Sequence, residues 1–283
     1  MIFRTKSVSK ALRGMPIAVA IAASFYAVSA PAEAAAIQHV PHRGFYEVTL
    51  GQSDPSSPIR NVDGRMVTEW AHSCDGWTTN QRLVVTMQRH NGRDVDSEVV
   101  ATSFESADGT TYQFSSKSTI GGDVAEEVRG IAKRPARGEP GVAIFSVPTD
   151  TRIDLPADTL FPYEHTLSVI AAGERGTVRE SSRYFDGSQP EISPMVASML
   201  ILGGARSGDE GPGANLGDVT KHKWWSVRLA MFPNIESQTE PEFEMTQDLQ
   251  DNGVVRRFVF DYGDFSMVAS LVRIEELERA QCR

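Results

Sequence analysis

The sequence is poor in cysteine and has no excess of positive charge, and these two shortages exclude several classes of protein. Two cysteines and a scattering of histidines fall short of a zinc-binding motif. A formal net charge of -9, with 28 basic against 37 acidic side chains, argues against a general nucleic-acid binder. An apolar content of 40% excludes a largely disordered chain, although there are 23 glycines and 15 prolines. A folded globular body, rich in turns, is expected.

Motifs that carry catalytic chemistry are also missing. The sequence contains neither the G-x-S-x-G elbow of a serine hydrolase nor the H-E-x-x-H pair of a metalloprotease. Residues 203–217 hold six glycines but lack the Gly-Lys-Ser/Thr ending of a phosphate loop, so they are predicted to be a flexible loop. We therefore predict no catalytic, cofactor-binding or metal-ligating residues, and a protein that is not an enzyme.

The first 36 residues have the pattern of a secretory signal peptide. Four basic residues lie before Gly14, and residues 14–32 carry no charge. The A-x-A sequences that follow fit a signal peptidase, and cleavage is expected after Ala36. A retained membrane anchor is the alternative, because 19 uncharged residues approach the roughly 20 that span a bilayer. Cleavage would leave 24 basic and 36 acidic residues, a net charge of -12, on a periplasmic protein without stable membrane insertion.

The two cysteines, Cys74 and Cys282, both lie beyond the predicted cleavage point. An exported compartment is oxidising, so a single disulfide between them is favoured. Free thiols and a redox pair remain open, although neither cysteine lies in a C-x-x-C motif. His72 and Asp75 flank Cys74 like the partners of a nucleophile, but a disulfide would remove the thiolate that this chemistry needs.

His39, His42 and His165 are the histidines that most need an interpretation. His39 and His42 have the spacing of a metal-ligand pair, but they lie just after the predicted cleavage point, where we expect the chain to fray. His165 lies in a predicted helix, and a packed or surface position is its expected role. None of the three is predicted to bind a metal.

Short alternations of apolar and polar residues, separated by turn signals, predict an antiparallel sheet or barrel with more than ten strands. A hairpin turn is predicted at Asp63-Gly64, and another turn at Asp108-Gly109. Strands are expected at 45–50, 59–70, 81–89, 95–105, 110–116, 127–132, 142–147, 177–185, 197–202, 224–232, 243–249, 254–262 and 265–274.

One segment, after Pro156, has helical instead of strand periodicity. Asp158 and Thr159 can cap a helix, and Gly173 is expected to end it. This helix is predicted to lie across a sheet, either as a cover for apolar strand faces or as a lid on a lipophilic cavity.

Residues 221–225 place two lysines and a histidine beside Trp224 and Trp225. Such a cluster can suit a membrane interface or an acidic partner. We favour the simpler interpretation, in which a strand begins at Trp224 and both indoles pack inside.

Six stretches, distributed over most of the chain, form an ordered set. They are Gly64-Arg65-Met66 to Trp70, Cys74-Asp75-Gly76-Trp77, Phe161-Pro162-Tyr163-Glu164-His165-Thr166, Tyr184-Phe185-Asp186-Gly187-Ser188, Phe265-Ser266-Met267 and Cys282. Together they resemble the EipB-type cell-envelope-integrity family of exported bacterial proteins.

The resemblance implies a mainly β fold: over residues 37–283, a single-domain, strongly curved antiparallel β-spiral that is barrel-like and wraps one main α-helix. This fold is similar in outline to the periplasmic lipoprotein carriers. The resemblance also implies a disulfide between Cys74 and Cys282 and gives no catalytic residues to transfer.

The expected function is therefore maintenance of the cell envelope by a non-enzymatic periplasmic protein. It would act by binding a lipophilic ligand, a lipoprotein or a protein partner, because a curved sheet with a helix across it can enclose a concave apolar site. A protein-interaction scaffold without a cavity is the main alternative, and an unrecognised envelope hydrolase is a third.

Overall fold

Long strands joined by short turns make up most of the computed structural model, which describes residues 37–234 and 239–282. The first half of the chain contains β1 (His42–Ser53), β2 (Ile59–Ser73), β3 (Gly76–Arg89), β4 (Val95–Ser106), β5 (Thr111–Ile120), β6 (Asp123–Lys133), β7 (Gly141–Val147) and β8 (Arg152–Leu155). The second half contains β9 (Thr159–Leu160), helix α1 (Pro162–Glu174), β10 (Arg179–Tyr184), β11 (Met195–Ile201), a 3-10 helix (Asp218–Thr220), β12 (Trp224–Phe232), β13 (Phe243–Gln250), β14 (Val255–Asp261) and β15 (Phe265–Glu276).

All fifteen strands form one sheet, ordered β8-β7-β6-β5-β4-β3-β2-β1-β15-β14-β13-β12-β11-β10-β9. Each neighbouring pair is antiparallel except β9 and β10, which are parallel. The sheet is therefore two meanders joined where the first strand pairs with the last. The predicted fold class, mainly β, strongly curved and barrel-like with one α-helix among the described residues, is confirmed.

The two edge strands of the sheet, β8 and β9, follow one another in the chain. An aromatic core fills the space between the two ends of the sheet: the Phe145 ring on β7 lies 6.4 Å from the Phe185 ring, which follows β10. Phe114 on β5 contacts both rings, at 5.0 and 5.6 Å. Edge-to-face contacts between these rings, and their burial, hold a strongly twisted sheet in a nearly closed form.

Most predicted strands occur in the structure, with longer bounds, and the turn at Asp108-Gly109 is present. The hairpin predicted at Asp63-Gly64 is wrong, because β2 runs through both residues, which pair with Thr49 and Val48 on β1. The sheet uses this glycine for close packing. A Cβ on Gly64 would lie 2.4 Å from the Val84 carbonyl oxygen, so any side chain would push β3 away.

Helix α1 begins later than the sequence predicts. Thr159 belongs to strand β9, and the helix is preceded by Phe161, so the caps predicted at Asp158 and Thr159 are wrong. The first backbone N–H groups are satisfied instead by β4: the Glu105 carboxylate accepts from the N–H groups of Tyr163 (2.8 Å) and Glu164 (3.1 Å). A residue 58 positions away in sequence thus caps the helix.

The helix also continues past Gly173, where it was expected to end, as far as Glu174. Gly173 lies inside the helix, at a position where the Trp225 indole leaves no room for a side chain: a Cβ there would lie 2.9 Å from the ring. Gly176, with a φ of +70°, follows the helix end. Gly173 therefore allows the helix to pack closely on the sheet. The glycine that ends the helix through its positive φ is Gly176, three positions later.

The interpretation of residues 221–225 as a strand start is confirmed. Trp224 and Trp225 begin β12 and are buried, and the Trp224 indole N–H donates to the Ser207 carbonyl (2.9 Å). Arg256, fully buried, donates to the carbonyls of Gly208 and Pro212. The glycine-rich segment 203–217, predicted to be flexible, is therefore tied to the sheet through its backbone.

Among the described residues, no helix combines the length and the apolar character that crossing a bilayer requires. The predicted signal peptide and its cleavage after Ala36 lie outside the described residues.

Candidate functional site

The interior of the sheet contains a cavity of about 270 Å³, which we call the inner chamber. Strands from both meanders line it, together with Pro162, His165 and Thr166 from the first turns of α1. The helix thus forms part of the chamber wall. The sequence predicted such a helix as a cover or a lid, and it borders a cavity in the structure.

The wall of the inner chamber has two chemically different sides. Strands β2 to β5 contribute the hydroxyl and amide side chains, namely Thr68, Thr79, Gln81, Thr102, Ser103, Ser115 and Ser116, together with Trp70, Ala101, Tyr112 and Phe114. Strands β12 to β14 contribute a mostly apolar side, namely Leu229, Met231, Met245, Leu249, Val255 and Phe258, with Gln247 as the polar exception. A cavity with this division suits an amphipathic ligand, since each side can contact a different part of it.

A second cavity, of about 370 Å³, adjoins the first, and we call it the outer chamber. The two chambers share part of their lining, including Tyr184, Asp186 and Ser188. The outer chamber alone is lined by two acidic residues, Glu126 and Glu242. The two chambers are therefore neighbours, and the outer one is the more acidic.

Asp186 is the carboxylate at the junction of the two chambers. It follows β10, and its Oδ1 accepts hydrogen bonds from the Ser188 backbone N–H (2.9 Å) and hydroxyl (2.7 Å). The Tyr112 hydroxyl donates to the Asp186 carbonyl (3.1 Å), which fixes this segment to β5. Burial raises the pKa of Asp186 above its ordinary value, while the Ser188 bonds act in the opposite direction.

His165 is the titratable residue of α1 that lines the inner chamber. Its side chain is 6% exposed, and its ring lies 4.9 Å from the Tyr184 ring. Burial lowers its pKa to about 4, so the imidazole is neutral at physiological pH. Its ring nitrogens form no hydrogen bond with any described residue, and no bond joins it to Asp186 or Ser188. These three side chains therefore do not form a catalytic triad.

A second group of buried charges lies at the start of α1. Arg134 donates to the Glu164 carboxylate (2.7 Å) and to the carbonyls of Gly109 and Thr159. Glu105 lies beside this pair, and burial raises its pKa to about 8, against the effect of the two helix N–H groups. Every one of these contacts fixes the helix or a turn. The network therefore explains how α1 is positioned and supplies no free nucleophile.

The expectation that His39 and His42 fray is wrong. Both are 1% exposed, and the His39 ring packs 5.0 Å from Trp70 and 4.7 Å from Trp77. Burial, with His42 and Arg279 nearby, lowers the pKa of His39 to about 3. The segment before β1 is held because it fills an aromatic pocket. No group of three or more metal-binding side chains occurs in the part of the chain that the structure describes.

Cys74 and Cys282 are joined by a disulfide in the structure, with their Cα atoms 5.4 Å apart. The bridge links the turn between β2 and β3 to the segment after β15. Along that segment Arg279 donates to the His39 carbonyl and lies over the Trp77 ring. The bridge thus holds the chain end against the aromatic pocket.

The lining of the two chambers was not predicted from the sequence. One signal was present: the predicted strand 110–116 ends in Ser115-Ser116, where a buried face usually carries apolar side chains. A polar face of a strand can point at a cavity as well as at solvent, and the sequence does not distinguish these cases.

Fold and cavity together define a class: a barrel-like antiparallel sheet that encloses an amphipathic, two-chambered cavity beside a helix. A family model described as EipB-like matches residues 33–278. The cell envelope integrity protein EipB of Brucella abortus (strain 2308) is 34% identical over 252 residues, which cover 87% of each chain. The chain belongs to the EipB-like family.

A solved structure supports the same assignment. A crystal structure of a beta-barrel-like protein of a domain of unknown function, from Brucella abortus, matches with a TM-score of 0.77 and 30% sequence identity. The match covers 86% of this chain and all of that one. The barrel-like fold is therefore shared along nearly the whole chain.

Proposed function

We propose that this protein is an exported, non-enzymatic factor that maintains the cell envelope by binding an amphipathic ligand in its two chambers. The observation that carries the proposal is the division of the inner chamber into a hydroxyl-rich side and an apolar side. The name of the Brucella relative, a cell envelope integrity protein, supports the cellular role. The signal-peptide pattern of residues 1–36 supports a periplasmic location.

A lipid or the acyl part of a lipoprotein fits this cavity better than a fully polar ligand. Met231, Met245 and Leu249 supply flexible apolar surface, and methionine adapts its shape to the ligand. The hydroxyl groups of β2 to β5 can satisfy the polar part of the same molecule. A pocket lined mainly by apolar groups with a few polar ones is the usual form of a small-molecule site.

The test is native mass spectrometry of the protein purified from the periplasm after expression of the full chain, followed by lipid extraction. We expect a stoichiometric lipid or lipopeptide to remain bound. The mass of the polypeptide should be that of a chain that starts at residue 37. Ala101 lines the inner chamber from β4, so Ala101→Phe should fill the cavity and abolish co-purification.

Val100→Phe is the matched control, because Val100 is on the same strand but 41% exposed, so its side chain lies outside the chamber. This variant should keep the ligand. Thermal unfolding of both variants shows that they are folded. A ligand-free mass for the wild-type protein, or equal cargo in Ala101→Phe, would contradict binding in the chamber.

A protein-interaction scaffold is the second candidate function. Val84 and Val100, on the neighbouring strands β3 and β4, are each 41% exposed. They offer a small apolar surface to a lipoprotein or protein partner. A wild-type protein without cargo, combined with loss of a partner complex in Val84→Glu, would favour this function.

A further inference from the structure

The charges around the two chambers are all of one sign. Glu126, Asp186 and Glu242 contribute carboxylates to the lining. No lysine or arginine lines either chamber in residues 37–234 and 239–282. The whole chain contains 28 basic residues.

Two of these carboxylates are without a cationic partner. Neither Asp186 nor Glu126 forms an ion pair with a described basic side chain, whereas most arginines near the sheet surface are paired with an acid. Burial raises the pKa of Asp186, and partial desolvation together with the nearby Glu191 raises that of Glu126. An acid whose pKa is raised in this way gains from the arrival of a positive charge.

His165 provides an independent indication of a ligand. It is a polar side chain, 6% exposed, that lines the inner chamber and has no hydrogen-bond partner for its ring among the described residues. Because the ring borders the chamber, a ligand there can supply the hydrogen bond that no described residue makes. Because its pKa is about 4, the ring is neutral and does not repel a cation.

We propose that the ligand, if the chambers bind an amphiphile as proposed above, carries a cationic amine head. The head lies at the carboxylates of the outer chamber, and the apolar chain lies along β12 to β14 in the inner chamber. His165 accepts or donates a hydrogen bond to a polar group of the ligand in the inner chamber. An anionic head would meet the carboxylates of Asp186 and Glu126 and no lysine or arginine in the lining that the described residues form.

The test uses three probes with the same ten-carbon chain: decylamine, decanol and decanoate, each below its micelle concentration. Isothermal titration calorimetry with the exported protein at pH 7.5 gives their affinities. We expect decylamine to bind about tenfold more tightly than decanol, because a charge-assisted contact in a buried site is worth at least that factor. Decanoate should bind more weakly than decanol.

Asp186→Asn should reduce the affinity for decylamine about tenfold and leave that for decanol unchanged. Glu126→Gln, at an exposed position of the outer-chamber lining, should reduce the affinity for decylamine several-fold. Asp94→Asn is the matched control. Asp94 is exposed in the segment before β4, so the substitution removes the same charge from another surface. It should bind all three probes like the wild type.

The outcomes separate the two proposals. Equal affinities for all three probes, or tighter binding of decanoate, would overturn the amine preference and leave the amphiphile-binding function intact. Absence of binding for every probe would overturn both. Loss of decylamine preference in Asp94→Asn as well would show that the net charge of the protein, and not the chamber, selects the amine.

Discussion

At the scale of the single residue, His165 connects the cavity to the stability of the fold. Burial lowers its pKa from the ordinary 6.5 to about 4. The unfolded chain therefore binds this proton more strongly between about pH 6.5 and pH 4, and the folded protein loses stability as the pH falls through that window. When the pH falls from 7 to 5, the free energy of unfolding should decrease by about 2 kcal/mol less in His165→Gln than in the wild type.

Urea unfolding at the two pH values measures this difference. Burial raises the pKa of Glu105 to about 8, so this residue affects stability in the opposite direction, but its effect cancels between wild type and variant. His90→Gln, at an exposed histidine, is the control and should follow the wild type. Parallel pH profiles for wild type and His165→Gln would mean that the folded protein protonates this ring as easily as the unfolded chain does.

At the scale of the element, helix α1 depends on a carboxyl group from another element. Glu105 on β4 accepts from two N–H groups in the first turn, those of Tyr163 and Glu164. Glu105→Ala leaves both donors buried without a partner, so we expect a loss of about 2 to 3 kcal/mol in the free energy of unfolding. Glu105→Gln keeps one acceptor and should lose less.

The measurement is urea unfolding of these variants beside Glu98→Ala. Glu98 lies on the same strand, but its partner Arg82 is on the outer surface, and such exposed pairs contribute about 0 to 1 kcal/mol. A Glu105→Ala variant no less stable than Glu98→Ala would show that water replaces the cap.

The same helix shows where prediction from sequence succeeds and where it does not. Strand positions follow from local alternation, so β12 was predicted with the bounds that it has, Trp224–Phe232. The helix start was misplaced because its cap comes from Glu105, far away in sequence. The Asp63-Gly64 dipeptide predicts a turn because a local signal does not reveal that β3 packs closely here, where a Cβ on Gly64 would lie 2.4 Å from the Val84 carbonyl oxygen. Long-range contacts therefore determine the helix start and the conformation at Gly64, which local sequence patterns do not fix.

The chambers also arise from contacts between residues that are far apart in the sequence. Hydroxyl-bearing strands and apolar strands that are far apart in the chain face each other only because β1 pairs with β15 and the sheet curls. His39 was expected in a frayed end for the same reason, since its pocket of Trp70, Trp77 and Tyr163 comes from three other elements. A site assembled from many strands has no compact motif in the sequence.

At the scale of the whole molecule, the bond between Cys74 and Cys282 closes a loop of 208 residues that contains most of the sheet. Loop-closure entropy gives it a nominal stabilisation of about 5 kcal/mol. The bridge also holds Arg279 over the Trp77 ring and beside the His39 carbonyl, where the two ends of the domain meet. Loss of the bridge should therefore weaken the global fold and release this chain end.

We expect a reductant to lower the unfolding temperature and to shift tryptophan fluorescence, as water reaches Trp77. Cys74→Ser should reproduce both changes without reductant, because either route removes the same constraint on the unfolded chain. Reductant added to Cys74→Ser is the control and should have no further effect, since the bridge is already absent. An unfolding temperature that neither treatment changes would mean that β1–β15 pairing alone holds the two ends together and that the cysteine pair has a role other than structural.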